Sequence, residues 1–188
     1  MPWWKQVWNK FSWPKCNFFM WLVVHKWCLM WDNLCKHGFQ GPSMCVLCQH
    51  SEENISHLFF HCSFTRHIWH FWWNVWNQSY CHVSALAEFF AHWGKAPVKT
   101  SFLQVAWTLG PSFIIWHIWL ERNRHIFKGE FLEVFHLWWK ICHSLQETVS
   151  AKCDTSKAME PGEDIFKTRL NLPPSHGNLL SKMCRHPL

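Results

Sequence analysis

Apolar positions recur along most of the chain at steps of three and four, the period of a helix and not of a strand. Trp3, Trp4, Val7, Trp8 and Phe11 share one face of a short helix that stops at Ser12-Trp13-Pro14, and Pro14 suits the first turn of the next. From Lys15 to Trp31 the residues are apolar almost all round, which predicts a largely buried helix as the central hydrophobic element. Asp32 to His37 continue or restart that helix, and Gly38 fits a left-handed cap. Gln40-Gly41-Pro42-Ser43 reads as a turn. Ser51, followed by Glu52 and Glu53, reads as a capped helix start with acids at the positive end of the dipole. His57 then lies on a helix, with Ile55, Leu58, Phe59 and Cys62 on its inner side. Ser63 fits the cap of a further helix carrying Phe64, Ile68, Trp69, Trp72, Trp73 and Trp76, which Asn77-Gln78-Ser79 ends.

The second half repeats the helical pattern. Ser84 to Trp93 reads as a helix and Gly94 to Pro97 as a turn. Ser101 to Leu109 is helical until Gly110-Pro111 interrupts it; Phe113, Trp116, Leu120, Asn123 and Phe127 then mark one face of another helix, capped by Gly129. Phe131, Phe135, Trp138, Cys142, Leu145 and Val149 form an amphipathic stripe whose plainer role is packing, with partner binding the lesser reading. From Ser150 onward the chain turns polar and is expected to be disordered. The expectation is a mainly α protein: a small helical domain around the cysteine-bearing loop at Cys45 to Cys62, with appended helices and a disordered C-terminal tail. Its divisions are 1–76 for that domain, 77–149 for a helical linker region and 150–188 for the tail.

A zinc expectation comes from Cys45 to Cys62, which reads C-V-L-C-Q-H-S-E-E-N-I-S-H-L-F-F-H-C. A C-x2-C turn presents two thiolates to one tetrahedral ion, and a His and Cys five apart on the next element complete the set. The ligands are Cys45, Cys48, His57 and Cys62, with His50 or His61 as alternatives to His57. A redox C-x-x-C fits less well, because no strand pattern surrounds it. The remaining cysteines lack a second pair of the right spacing and read as packing or surface thiols.

Composition narrows the function. The chain has 188 residues, 18 Lys and Arg against 12 Asp and Glu, and a formal charge of +6, a mild bias compatible with a polyanion. Seventeen tryptophans and 16 phenylalanines exceed what a small core needs, so some belong on a surface or interface. The N-terminal residues lack signal-peptide character, so the ten cysteines suit a reducing, intracellular setting, nuclear or cytoplasmic. The best membrane candidate, Phe18 to Trp31, is broken by His25 and Lys26 and predicts no membrane anchor. Two-metal chemistry needs converging carboxylates, yet the only aspartates are Asp32, Asp154 and Asp164. No nucleophile elbow or phosphate-cradling glycine loop is present, and the chain reads as non-catalytic.

The strings V-W-N-K-F-S-W-P-K-C-N-F-F-M-W-L, W-D-N-L-C-K-H-G, C-V-L-C and H-L-F-F-H-C, followed by I-W, resemble the zinc-binding domain of reverse transcriptases in plant LINE-type (non-LTR) retrotransposons, over Val7 to Trp76. W-H-I-W-L-E-R-N-R-H-I-F, from Trp116 to Phe127, is similar to the stretch that leads from that domain toward RNase H. The resemblance places the family's metal ligands on Cys45, Cys48, His57 and Cys62, and implies bound Zn2+ and a role in gripping template RNA or target DNA. Arg66, Arg122, Arg124 and Lys128 are the candidate nucleic-acid contacts, although a solvated helix end is the plainer reading of the last three. A helical protein-interaction module, or a retroelement fragment without present function, are the other readings.

Overall fold

In a computed structural model the chain is described over residues 4–41, 43–79, 86–94 and 101–152 and at positions 168 and 170. The described residues are helical as expected, in chain order α1 (Trp4–Val7), α2 (Pro14–Val24), α3 (Trp31–Lys36), a π-helical turn (His57–His61), α4 (Ser63–Val75), α5 (Leu86–Trp93), α6 (Ser101–Lys128) and α7 (Val134–Lys152). The only extended pairing among them is an isolated antiparallel bridge between Met44 and Glu52.

α2 begins at Pro14 as expected but ends at Val24, well short of Trp31. Lys26 adopts φ +56°, its N–H donates to the Val23 carbonyl (3.1 Å), and the Trp27 N–H reaches back to Leu22 (2.9 Å). These two bonds close a Schellman motif, which turns the chain out of the helix. The same device ends α3 at Gly38 (φ +82°), as expected, and α4 at Asn77 (φ +55°). Asn33 Nδ2 then donates to the carbonyls of Lys26 (2.6 Å) and Cys28 (2.7 Å), folding the link from α2 over the start of α3.

Gly110-Pro111 does not interrupt α6, which runs unbroken from Ser101 to Lys128 with Pro111 inside it. Proline removes one bond to the preceding turn, a local cost that tertiary packing overrides. The Trp72 indole lies directly on Gly110, where any Cβ would enter its ring. Trp72 also stacks on Trp107 (5.8 Å between centroids) and meets Trp76 edge-on (5.4 Å).

α6, and not α2, is the central buried element: Ala106, Leu109, Phe113, Ile114, Ile115 and Ile118 are wholly enclosed. α2 packs across it through Phe19, which stacks on Trp119 (5.1 Å) and meets Trp116 edge-on (5.5 Å). α7 lies alongside and buries Leu137, Trp138, Ile141, Cys142, Leu145 and Val149. The first two residues of its expected stripe, Phe131 and Phe135, stay exposed. The helix continues past Ser150 to Lys152, and Leu170 is helical and buried. Trp3, the Ser84 end of the expected fifth helix, the turn at 95–97 and most of the tail lie outside the described residues.

Candidate metal centre

Residues 43–53 form a tight hairpin that brings Cys45 and Cys48 together. The Cys45 N–H donates to the Ser51 carbonyl (2.8 Å), the Gln49 N–H to Cys45 (2.8 Å) and the Glu53 N–H to Ser43 (2.7 Å). Gln49, at φ +57°, reverses the chain between them. Ser51 and Glu52 therefore belong to this hairpin and not to a helix start. The cap is Asn54, whose Oδ1 accepts the His57 N–H at 2.8 Å.

His57 and Cys62 owe their alignment to the π-turn. In an α-helix, residues five apart point about 140° away from each other. Here the Cys62 N–H bonds to the His57 carbonyl (2.7 Å), an i to i+5 closure that stacks the two residues on one side. Leu58, Phe59 and Phe60 are buried beneath the turn, and the Trp69 indole N–H donates to the Phe59 carbonyl (2.7 Å). Ser63 is the first residue of α4 and makes no side-chain cap; Thr65 Oγ instead donates to the Cys62 carbonyl (3.1 Å).

The ligand atoms of Cys45, Cys48, His57 and Cys62 all lie within 4.8 Å of one another. Cys45 Sγ and Cys62 Sγ are 3.9 Å apart, and Cys48 Sγ is 3.3 Å from His57 Nε2. A tetrahedral zinc with Zn–S near ~2.3 Å and Zn–N near ~2.0 Å requires edges of about 3.8 Å and about 3.5 Å, and these two edges match it. His50 is turned outward, its Nδ1 donating to the Cys48 carbonyl, and His61 Nδ1 pairs with Ser56 Oγ (3.3 Å). The hydrogen bond from the Cys62 thiol holds the Cys45 thiol down to about 5, although burial opposes it; that same bond, together with burial, pushes Cys62 up. The two sulfurs face a common point. Cys45, Cys48, His57 and Cys62 would hold a zinc ion there, and such an ion would tie the hairpin to the π-turn.

Residues 1–69 match the family model described as zinc-binding in reverse transcriptase. That segment is a reverse-transcriptase-associated zinc-binding domain. As such it corresponds to a metal-binding module and not to a polymerase or RNase H catalytic core. No curated protein and no solved structure matches the chain.

The cations expected at a nucleic-acid contact lie on two helices of different burial. Arg122 on α6 is buried and reaches into the zinc-binding domain, where its guanidinium holds the carboxylate of Glu53 in the hairpin. It also lies over the Trp119 ring (5.1 Å) and donates to Asn123 Oδ1 (3.0 Å). Arg124 pairs with buried Glu121 (3.5 Å), whose other oxygen accepts the Leu132 N–H (2.6 Å) and fixes the turn into α7. Lys128 is exposed at the end of α6, and Arg66 is half-buried on α4. The W-H-I-W-L-E-R-N stretch thus grips α2 and the hairpin from one side. Asn54 and Glu121 escaped sequence reasoning, which also read Glu53 only as an acid at a helix start and Trp69 only as a helix-face residue, because their partners are backbone groups or lie far along the chain. Among the described residues no helix is long and apolar enough to cross a membrane.

Proposed function

We propose that the chain is the non-catalytic zinc-binding module of a plant LINE-type retrotransposon reverse transcriptase, with a structural zinc on Cys45, Cys48, His57 and Cys62. The observation that carries this reading is the convergence of those four ligand atoms within 4.8 Å. The zinc orders a hairpin that has little apolar surface of its own and holds it against the π-turn. In this reading the module lies between polymerase and RNase H and helps hold RNA or DNA, with Arg66, Arg124 and Lys128 available to phosphates. Arg122 acts from inside the fold.

Metal content by mass spectrometry of the purified, reduced protein tests the reading. One zinc per chain is expected, absent from a Cys45→Ser, Cys48→Ser variant. Folded wild-type protein without zinc overturns it.

A helical protein-interaction module is the second reading, favoured by Phe131 just before α7 and Phe135 and Trp139 on it standing exposed. A helper role of that kind predicts association that is indifferent to salt.

A further inference from the structure

Outside the metal centre, three exposed aromatic regions stand out, and their electrostatics separate them. Trp139 on α7 is flanked by exposed Glu133 and Glu147, which pair with His136 and His143 and make a poor surface for a polyanion. An apolar groove of about 670 Å³ beside the hairpin, lined by Phe39, Met44 and Phe127 among others, has Glu53 and Arg122 as its charged groups, and these neutralise each other. The third region is different.

On the outer side of α2 and its exit turn, Phe18 and Trp21 lie nearly parallel with centroids 5.8 Å apart, and Trp27 stands edge-on to Trp21 at 5.1 Å. His25 completes the cluster, 4.8 Å from Trp21 and 5.0 Å from Trp27. Phe18 is 54% exposed and Trp27 59%, an unusual outlay of aromatic surface for a packed helix. In the sequence around it cations outnumber acids, and the one acid, Asp32, sits beside the same turn, its Oδ1 accepting the Asn33 N–H (3.0 Å). Residues 1–41 contain Lys5, Lys10, Lys15, Lys26 and Lys36 against the single acid Asp32. The Lys36 ammonium bonds to Asn33 Oδ1 (2.9 Å), and Asn33 holds the Lys26 carbonyl (2.6 Å), so a cation is fastened beside the link that bears Trp27.

We propose that Phe18, Trp21 and Trp27, with Lys26 and Lys36, form a stacking platform for unpaired bases of single-stranded nucleic acid. Every base offers a π-face to such rings, while the lysines attract the backbone. Paired bases in a duplex have no free face to present, so duplex of the same sequence binds more weakly. The inference rests on the proposed function and names a surface for its nucleic-acid contact, apart from Arg66, Arg124 and Lys128.

The test is anisotropy of a labelled oligouridine of about 20 nucleotides with the zinc-replete full chain, metal content being measured on every sample. Trp27→Ala and Phe18→Ala are each expected to weaken binding about tenfold, and both positions are exposed enough to leave the fold intact. Lys26→Gln combined with Lys36→Gln should reduce the salt slope by about 1.4. Trp139→Ala should bind as wild type. Wild-type affinity in Trp27→Ala overturns the platform, as does failure of zinc-replete protein to bind. Salt-indifferent self-association lost in Trp27→Ala, without oligonucleotide binding, makes the face a protein-docking surface and overturns it equally. A preparation without zinc overturns the metal reading first, and the platform with it.

Discussion

Arg122 holds both carboxylate oxygens of Glu53 in a buried fork, Nη2 to Oε1 at 2.5 Å and Nε to Oε2 at 3.0 Å. The pair joins the base of the metal hairpin to a helix that begins long after the hairpin ends. Removing one partner strands a charge inside the protein, which typically costs about 3–5 kcal/mol. Arg122→Leu should therefore lower the urea midpoint substantially, and Arg122→Lys should also lose stability because it lacks the fork. Glu53→Leu with Arg122→Leu should recover most of the loss. A double variant no more stable than the singles would show that the pair contributes more than mutual neutralisation.

Gly110 is fixed by its neighbour and not by backbone conformation. Gly110→Ala would raise helix propensity at that position, but its Cβ enters the Trp72 ring. The expected net effect is destabilisation of about 1–3 kcal/mol, against a gain of up to ~1 kcal/mol from propensity alone. Thermal unfolding decides the sign, and a raised midpoint would mean that Trp72 can move aside.

Metal removal should act locally before it acts globally. Chelation is expected to speed amide exchange over residues 43–62 first and to lower the melting midpoint by on the order of 10 °C, given ~2–4 °C per kcal/mol for a chain of this size. The Trp69 indole N–H, bonded to Phe59 in the π-turn, is the reporter to follow by NMR. Unchanged exchange in the hairpin after complete metal loss would contradict a structural role for the ion.

His117 makes folding sensitive to acid. Burial, then the charges of Lys15 and Lys140, depress its pKa to about 4, and its Nε2 has no hydrogen-bond partner. The unfolded chain, with an ordinary value near ~6.5, binds a proton that the folded chain refuses. Stability from this residue is therefore complete above about pH 6.5 and lost as the pH falls toward about 4, by at most ~3 kcal/mol. In denaturant titrations His117→Gln should flatten that limb relative to wild type. An unchanged slope would place the acid sensitivity elsewhere.

The parts of the fold that were legible from sequence are those written in local chemistry. The C-x2-C spacing, the left-handed glycine after α3 and the stripe of α7 each state their role within a few residues. Where the reading failed, a distant partner had decided the outcome. Gly110-Pro111 looked like a break because Trp72, which occupies the glycine's missing side chain, lies far away along the sequence. Arg122 looked like a solvated cation because Glu53 is 69 residues distant. The stretch after Val24 looked helical because its apolar content is high, yet Lys26 can enter the left-handed region and Asn33 secures the turn. A helical period also cannot announce a π-turn. Only the five-residue step from His57 to Cys62, read against the geometry an ion demands, carries that information.

The nesting of Trp72 against Gly110 bears on modularity. The matched segment ends at residue 69, inside α4, while the indole three positions later is seated on α6. A fragment ending at residue 69 would keep the four metal-ligating side chains without the helix that supports them. The unit that folds is accordingly longer than the segment the family model matches.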